Sequence, residues 1–171
     1  REYAPGDSQR HIHWKATARR AYPVTKLHQV ERTQEVYVIL DASRLSGRAD
    51  ALPDGSETTQ LDRFIKASLT LALVAEKQGD LFGLAAFSDT SHALVRARSG
   101  RAHYNACRDA LYTLEARPVS PDYEEIFTFL RLRLRRRALL IFLTNLDDPV
   151  ISETFDKHIG LLANRHLALV N

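Results

Sequence analysis

The sequence predicts an α/β domain built on a doubly wound, mostly parallel open sheet with an antiparallel hairpin at its edge. Two observations point there. Short, nearly continuous apolar runs recur along the chain, as strands covered on both faces require. Between them lie longer segments with helical spacing, and the order strand, helix, strand, hairpin, helices, strand, helix, strand is that of an open parallel sheet.

Residues 1–33 are polar, basic and aromatic without a sustained period, with Pro5-Gly6-Asp7 as a turn and Pro23 as a break, so they read as an irregular segment packed on a domain spanning 34–171. Glu35-Val-Tyr-Val-Ile-Leu-Asp41 is the first strand, ending in a carboxylate. Residues 44–59 hold Gly47, Pro53 and Gly55 and read as a long loop, of a length that is often functional. From Leu61 the apolar positions Phe64, Ile65, Leu69, Ala72 and Ala75 follow helical spacing, and Gly79 stands where a C-cap glycine belongs.

Leu81–Phe87 is the second strand, and Ser88-Asp89-Thr90 turns it into a weaker one over His92–Ala97, giving the edge hairpin. Tyr104, Cys107, Ala110, Leu111 and Leu114 mark a helix closed by Pro118. Pro121-Asp122 opens another through Ile126, Phe127, Leu130 and Leu134. The alternation Leu130–Arg135 also fits a half-buried strand, but Ala138–Thr144 is itself an evident buried strand needing cover, which favours the helix. A helix over Ile151–Ala163 and a strand over His166–Val170 complete the order.

At 171 residues the chain suits one domain with a normal core. Apolar residues at 44% and charged residues at 26% exclude disordered and fibrous classes. The single Cys107 excludes an internal disulfide and a thiolate zinc cluster, and indicates a reducing compartment. No apolar run is long enough to cross a bilayer, the start Arg1-Glu2-Tyr3 is not a signal peptide, and the absence of any Met leads us to expect a piece of a longer protein. A formal charge of +3 is mild for a nucleic-acid domain, although Arg10, Lys15, Arg19, Arg20 and Lys26 form one basic cluster and Arg131, Arg133, Arg135, Arg136 and Arg137 another. On a helix the second cluster divides between two faces, as a solvated surface would, or its last members flank the next strand and deter edge pairing.

In open α/β sheets ligands bind beyond the carboxyl ends of the strands. Asp41, Ser43, Thr144, Asn145 and Asp147 fall there. There is no glycine-rich phosphate loop, no nucleophile elbow and no Ser, His and Asp set in recognisable context, so no catalytic residue is assigned. His11 and His13 lack matching metal partners and read as ordinary polar residues; Cys107 reads as core.

The opening Arg1-Glu-Tyr, Gly6-Asp7, Arg10, Ile12-His-Trp14-Lys15 and Ala18-Arg19 resemble the signature of a bacterial family called domain of unknown function 58. Leu40-Asp41, Gln78-Gly-Asp80, Phe87-Ser-Asp89, Pro121-Asp-Tyr123 and Arg135–Arg137 before Leu143-Thr144 resemble its later blocks, so the resemblance spans the chain. That family is similar to von Willebrand factor A domains, a Rossmann-like fold. The resemblance implies a non-enzymatic interaction module, the cytoplasmic part of a protein anchored in the inner membrane outside this chain. Its implied partner is a protein, a MoxR-type AAA+ ATPase, with a role in assembly or maturation of complexes. It also implies a degenerate Mg²⁺ site: Asp41 and Ser43 stand in two ligand places, Leu45 replaces the third, Ser120 or Asp122 stands where a Thr belongs, and Asn145 replaces an Asp. Loss of metal is therefore expected, with Asp41 ordering its loop. Asp7, Arg10, Trp14, Lys15 and Arg19 form a second candidate surface, either for docking or, with Trp14 buried and Asp7 paired to an Arg, for pinning the segment to the sheet. A nucleic-acid or other polyanion-binding domain, using the basic clusters with Trp14 and Tyr22, is the alternative; nucleic acid is not the expected partner.

Overall fold

The structure, a computed structural model, describes residues 3, 12–24, 34–51, 55 and 57–170. The chain divides into two compact units, Arg1–Arg32 and Thr33–Asn171. Within the first, the segment expected to be irregular contains a helix, α1 (Trp14–Arg20). His13 starts it, its ring nitrogen accepting from the Ala16 amide at 3.1 Å, and Ala21 ends it with φ 59°, donating its amide to the Thr17 carbonyl. Periodicity missed a helix this short because two turns carry too few apolar positions to register. Thr17 Oγ1 accepts from the Val24 amide, tying the helix to the strand-like return.

The second unit carries a five-stranded sheet. Its strands are β1 (Glu35–Asp41), β4 (Leu81–Phe87), β5 (Ser91–Arg98), β6 (Ala138–Leu143) and β7 (Leu167–Val170), in the spatial order β5-β4-β1-β6-β7. All neighbours are parallel except β4 and β5, the antiparallel edge hairpin. Residues 44–59, expected to be one loop, contain a small antiparallel pair, β2 (Ala49–Ala51) and β3 (Glu57–Thr59). Three-residue strands are too short to show alternation in sequence.

Four helices cover the sheet: α2 (Gln60–Gln78), α3 (Arg101–Tyr112), α4 (Tyr123–Arg133) and α5 (Pro149–Ala163). Successive β1 side chains point to opposite faces. Val38 and Leu40 join Phe64 and Ala72 of α2 with Cys107 and Leu111 of α3 in one core. Tyr37 and Ile39 join Phe127 and Leu130 of α4 with Phe155 of α5 in the other. In that second core Tyr123, Phe127, Phe142 and Phe155 meet at ring-centroid distances of 5.2 to 5.5 Å in several pairs, a geometry worth about 0.5–1.5 kcal/mol per pair beyond area burial.

The helix ends follow local chemistry. Thr59 and Asp62 form a reciprocal capping box on α2, and Gly79 closes that helix. Asp122 caps α4 by accepting from the Glu125 amide at 2.9 Å. Helix α4 stops at Arg133, and Leu134 is extended, so Arg135–Arg137 lie beyond the helix and are not divided between two of its faces. No helix among the described residues is long and apolar enough to cross a membrane.

Candidate functional site

Strand β1 has β4 on one side and β6 on the other, so the chain order reverses between β1 and β6 and leaves a crevice at their carboxyl ends. Asp41 ends β1 there and is fully buried. Its Oδ1 accepts from the Ser43 amide at 2.8 Å and its Oδ2 accepts from Thr144 Oγ1 at 2.7 Å. Tyr123 Oη lies 2.8 Å from the same Thr144 oxygen. Thr144 has one proton and gives it to the carboxylate, so Tyr123 must donate to Thr144. A relay Tyr123 to Thr144 to Asp41 thus joins α4, β6 and β1.

Burial pushes the Asp41 carboxyl above its ordinary value, opposed by the hydrogen bonds from Ser43 and Thr144. Burial likewise raises the Tyr123 phenol, with the nearby Asp41 charge adding to it. Both groups belong to an internal network that orders the strand ends. Nothing in the spacing of the sequence identified Tyr123; a tyrosine at the first position of an otherwise apolar helix face was the available signal.

The expected Mg²⁺ ligands are engaged by the protein itself. Ser43 is fully buried, and its Oγ bonds Asp41 and accepts from the Leu45 amide at 3.3 Å. Asn145 Oδ1 accepts from the Asp147 amide at 2.8 Å, and its Nδ2 faces Gln60 Oε1 at 3.4 Å. Ser120 Oγ accepts from Arg44 Nε at 3.2 Å, and Asp122 caps α4. Mg²⁺ keeps several waters and is held by one or two carboxylates, whereas both oxygens of Asp41 are taken by Ser43 and Thr144 and Asn145 offers only an amide, so the residues as arranged do not fit the ion. No group of three or more His, Cys, Asp and Glu gathers among the described residues.

Outside this network lies an open cleft of ≈ 580 Å³. Arg44, Leu45 and Arg48 line it from the loop after β1, Arg117 from the α3–α4 connection, and Asn145 and Asp147 from the loop after β6. Backbone bonds hold these loops together: Arg44 N to Val119 O, Arg117 N to Ala42 O, Ala42 N to Phe87 O and Asp122 N to Ser88 O, at 2.7 to 2.9 Å. Gly47 permits the close seat of the first loop, since a Cβ there would stand 2.9 Å from that of Ala116. Arg117 pairs with Asp89 at 3.4 Å, both about half exposed.

Near this rim, Ser88 Oγ lies 2.5 Å from His92 Nε2 and 2.7 Å from Asp89 Oδ1. A hydrolytic triad needs the carboxylate behind the imidazole. Here both partners converge on a fully buried serine.

A model of the family described as protein of unknown function DUF58 matches residues 1–171. The chain belongs to that family. Among its relatives, the uncharacterized proteins Rv1480 of Mycobacterium tuberculosis and Mb1516 of Mycobacterium bovis are each 24% identical over 172 residues, covering 99% of this chain and 51% of the relative. The chain thus spans about half the length of these curated relatives. This DUF58 chain also resembles, at a TM-score of 0.55 and 11% identity over 80% of itself and 66% of the other chain, an aerotolerance-related membrane protein from Bacteroides fragilis. BatB from Bacteroides thetaiotaomicron aligns with a TM-score of 0.51 and 14% identity, covering 80% and 65% of the two chains. The SpRpn10 VWA domain aligns at 0.51 and 12% identity, covering 81% and 74%. The fold is that of a von Willebrand factor A domain.

The second candidate surface is only partly placed. Asp7 and Arg10 lie outside the described residues, as does His11. Trp14, expected either to dock a partner or to be buried, is 70% exposed at the start of α1, and Lys15 and Arg19 are exposed one turn apart on it. Cys107 is fully buried, as its apolar setting implied.

Proposed function

We propose that this DUF58 chain is a non-enzymatic protein-docking module whose contact surface is the cleft at the Asp41 rim. One observation carries the reading: Asp41 is turned inward and held by the fold, while Arg44, Arg48 and Arg117 line the cleft outside it. In a metal-dependent adhesion site a bound cation receives a partner's carboxylate. In this cleft Arg44, Arg48 and Arg117 stand against Asp147 and Asp148, which leaves positive charge in excess, and the planar arginine donors match carboxylate geometry. The partner segment is therefore acidic and the contact is independent of Mg²⁺. Exposed Trp14 with Lys15 and Arg19 offers a second contact surface.

The names of the similar proteins support a wider setting, since two of the folds aligned come from an aerotolerance-related membrane protein and BatB. We place the chain as the cytoplasmic part of a membrane-anchored parent that works with a MoxR-type AAA+ ATPase in assembling or maturing a complex. The test is affinity capture with the full-length parent, with and without Mg²⁺ and ATP. Capture of the ATPase or its cargo that survives removal of Mg²⁺ and is lost in Arg44→Glu with Arg117→Glu supports the docking surface. Undiminished capture by that double variant overturns it.

A further inference from the structure

At the end of the sheet opposite the Asp41 rim, the register gathers arginines that are far apart in sequence. Strand β5 runs antiparallel to β4, so Arg98 stands beside Phe82 near the amino end of β1. Helix α4 ends at Arg133, and the chain then turns into β6, whose Ala138 pairs with Glu35. Arg96 and Arg98 from one element and Arg133, Arg135 and Arg136 from the other consequently line a single pocket of ≈ 270 Å³.

The pocket is built by an irregularity in the sheet. Between the pairs Phe82 with Arg98 and Leu84 with Val95, β4 contributes Gly83 while β5 contributes both Arg96 and Ala97, a β-bulge. Bulges re-aim side chains and release a ladder hydrogen bond. The Ala97 amide donates to Tyr37 Oη at 3.0 Å, and the Tyr37 ring lies so close over Gly83 that a Cβ there would be 2.4 Å from it. Tyr37 accepts in that bond, which leaves its own proton available to the pocket it lines.

Five arginines thus line the pocket beside one carboxylate, Glu35, which Arg136 reaches at 3.8 Å. Arg133 holds its guanidinium over the Phe129 ring at 5.4 Å, so the other four arginines supply the charge directed to the pocket. The charge that remains exceeds what one carboxylate ligand could balance, and the donor-rich lining suits a group with several terminal oxygens. We propose that this pocket binds a multiply charged phosphate group, of a soluble polyphosphate or of an anionic lipid headgroup. The site is independent of the rim cleft and does not require the docking reading.

The experiment is calorimetric titration of the intact chain with tripolyphosphate at low ionic strength, beside co-sedimentation with phosphatidic acid and phosphatidylcholine vesicles. In Arg96→Gln/Arg98→Gln/Arg135→Gln, affinity should fall by about tenfold or more and the salt dependence should flatten, with the melting temperature unchanged. Lys66→Gln/Lys77→Gln, exposed positions on α2 away from this pocket, should bind as the parent chain does. Tripolyphosphate binding lost in the triple variant identifies a soluble source; binding restricted to phosphatidic acid vesicles and lost in the same variant identifies a lipid source. Unchanged affinity in the triple variant, or citrate bound as tightly as tripolyphosphate, overturns the proposal. Duplex DNA captured through these arginines without either of the other ligands overturns it in favour of nucleic acid.

Discussion

Asp41→Asn changes one atom in the buried relay and tests its polarity. The Ser43 amide must donate to position 41, so the new Asn oxygen faces Ser43 and its amide group faces Thr144. Thr144 Oγ1 then receives a donor where it previously gave one. Tyr123 also points a hydroxyl at that oxygen, so one of the two hydroxyl protons loses its acceptor inside the core. A buried donor left unsatisfied costs about 1–3 kcal/mol, and urea denaturation at neutral pH should show a loss in this range. The pH dependence has a defined sign. Burial raises the Asp41 carboxyl above its usual 3.8, so the folded state holds that proton more tightly than the unfolded state does. The carboxyl's contribution to stability is fully present below 3.8 and is lost as pH rises through the folded value. Asn does not titrate, and the deficit of Asp41→Asn relative to the parent should therefore widen on acidification toward 3.8. An Asn variant more stable than the parent at neutral pH would show that desolvation of the carboxylate outweighs its hydrogen bonds, and would refute this account.

Three further outcomes are expected. Gly83→Ala places a Cβ 2.4 Å from the Tyr37 ring and 2.8 Å from the Ala97 amide, so it should cost about 1–3 kcal/mol in denaturant unfolding; an unchanged midpoint would contradict the bulge geometry. Thr59→Ala removes the hydroxyl half of the α2 capping box, the bond from the Asp62 amide, while the Thr59 amide still donates to the Asp62 carboxylate; it should lower stability by about 1 kcal/mol, measured as the shift in urea midpoint at constant slope. Burial pushes the Cys107 thiol up to about 11, so it stays protonated at mildly alkaline pH and should react with a disulfide reagent only as fast as the fold opens. Complete labelling within seconds in native buffer would contradict that burial.

The strands that are buried on both faces were legible because each reads as an unbroken apolar run; Glu35–Asp41 and Ala138–Leu143 are the clearest. The helix caps were legible where chemistry is local, as at Asp122 and Gly79. Short elements were not: α1 and the β2–β3 pair offer too few residues for a period to emerge. Asp41 could be placed at a strand end from sequence, yet its partners could not, since Tyr123 and Thr144 come from elements distant along the chain. For the same reason Arg131–Arg137 looked like a self-contained basic run. What gives Arg133, Arg135 and Arg136 a shared setting is the register of β5, which brings Arg96 and Arg98 to them.

The loops around the rim cleft are joined through peptide groups: Ala42 to Phe87, Arg117 to Ala42, Arg44 to Val119 and Asp122 to Ser88. Peptide bonds are the same whatever side chain they carry, except at proline. Arg44 and Arg117 therefore occupy positions where other residue types can be exchanged without moving the frame that presents them. Under the docking role proposed for the rim, its side chains can change while the Tyr123, Thr144 and Asp41 relay beneath stays fixed, which makes it a place for engineering new specificity by substitution alone.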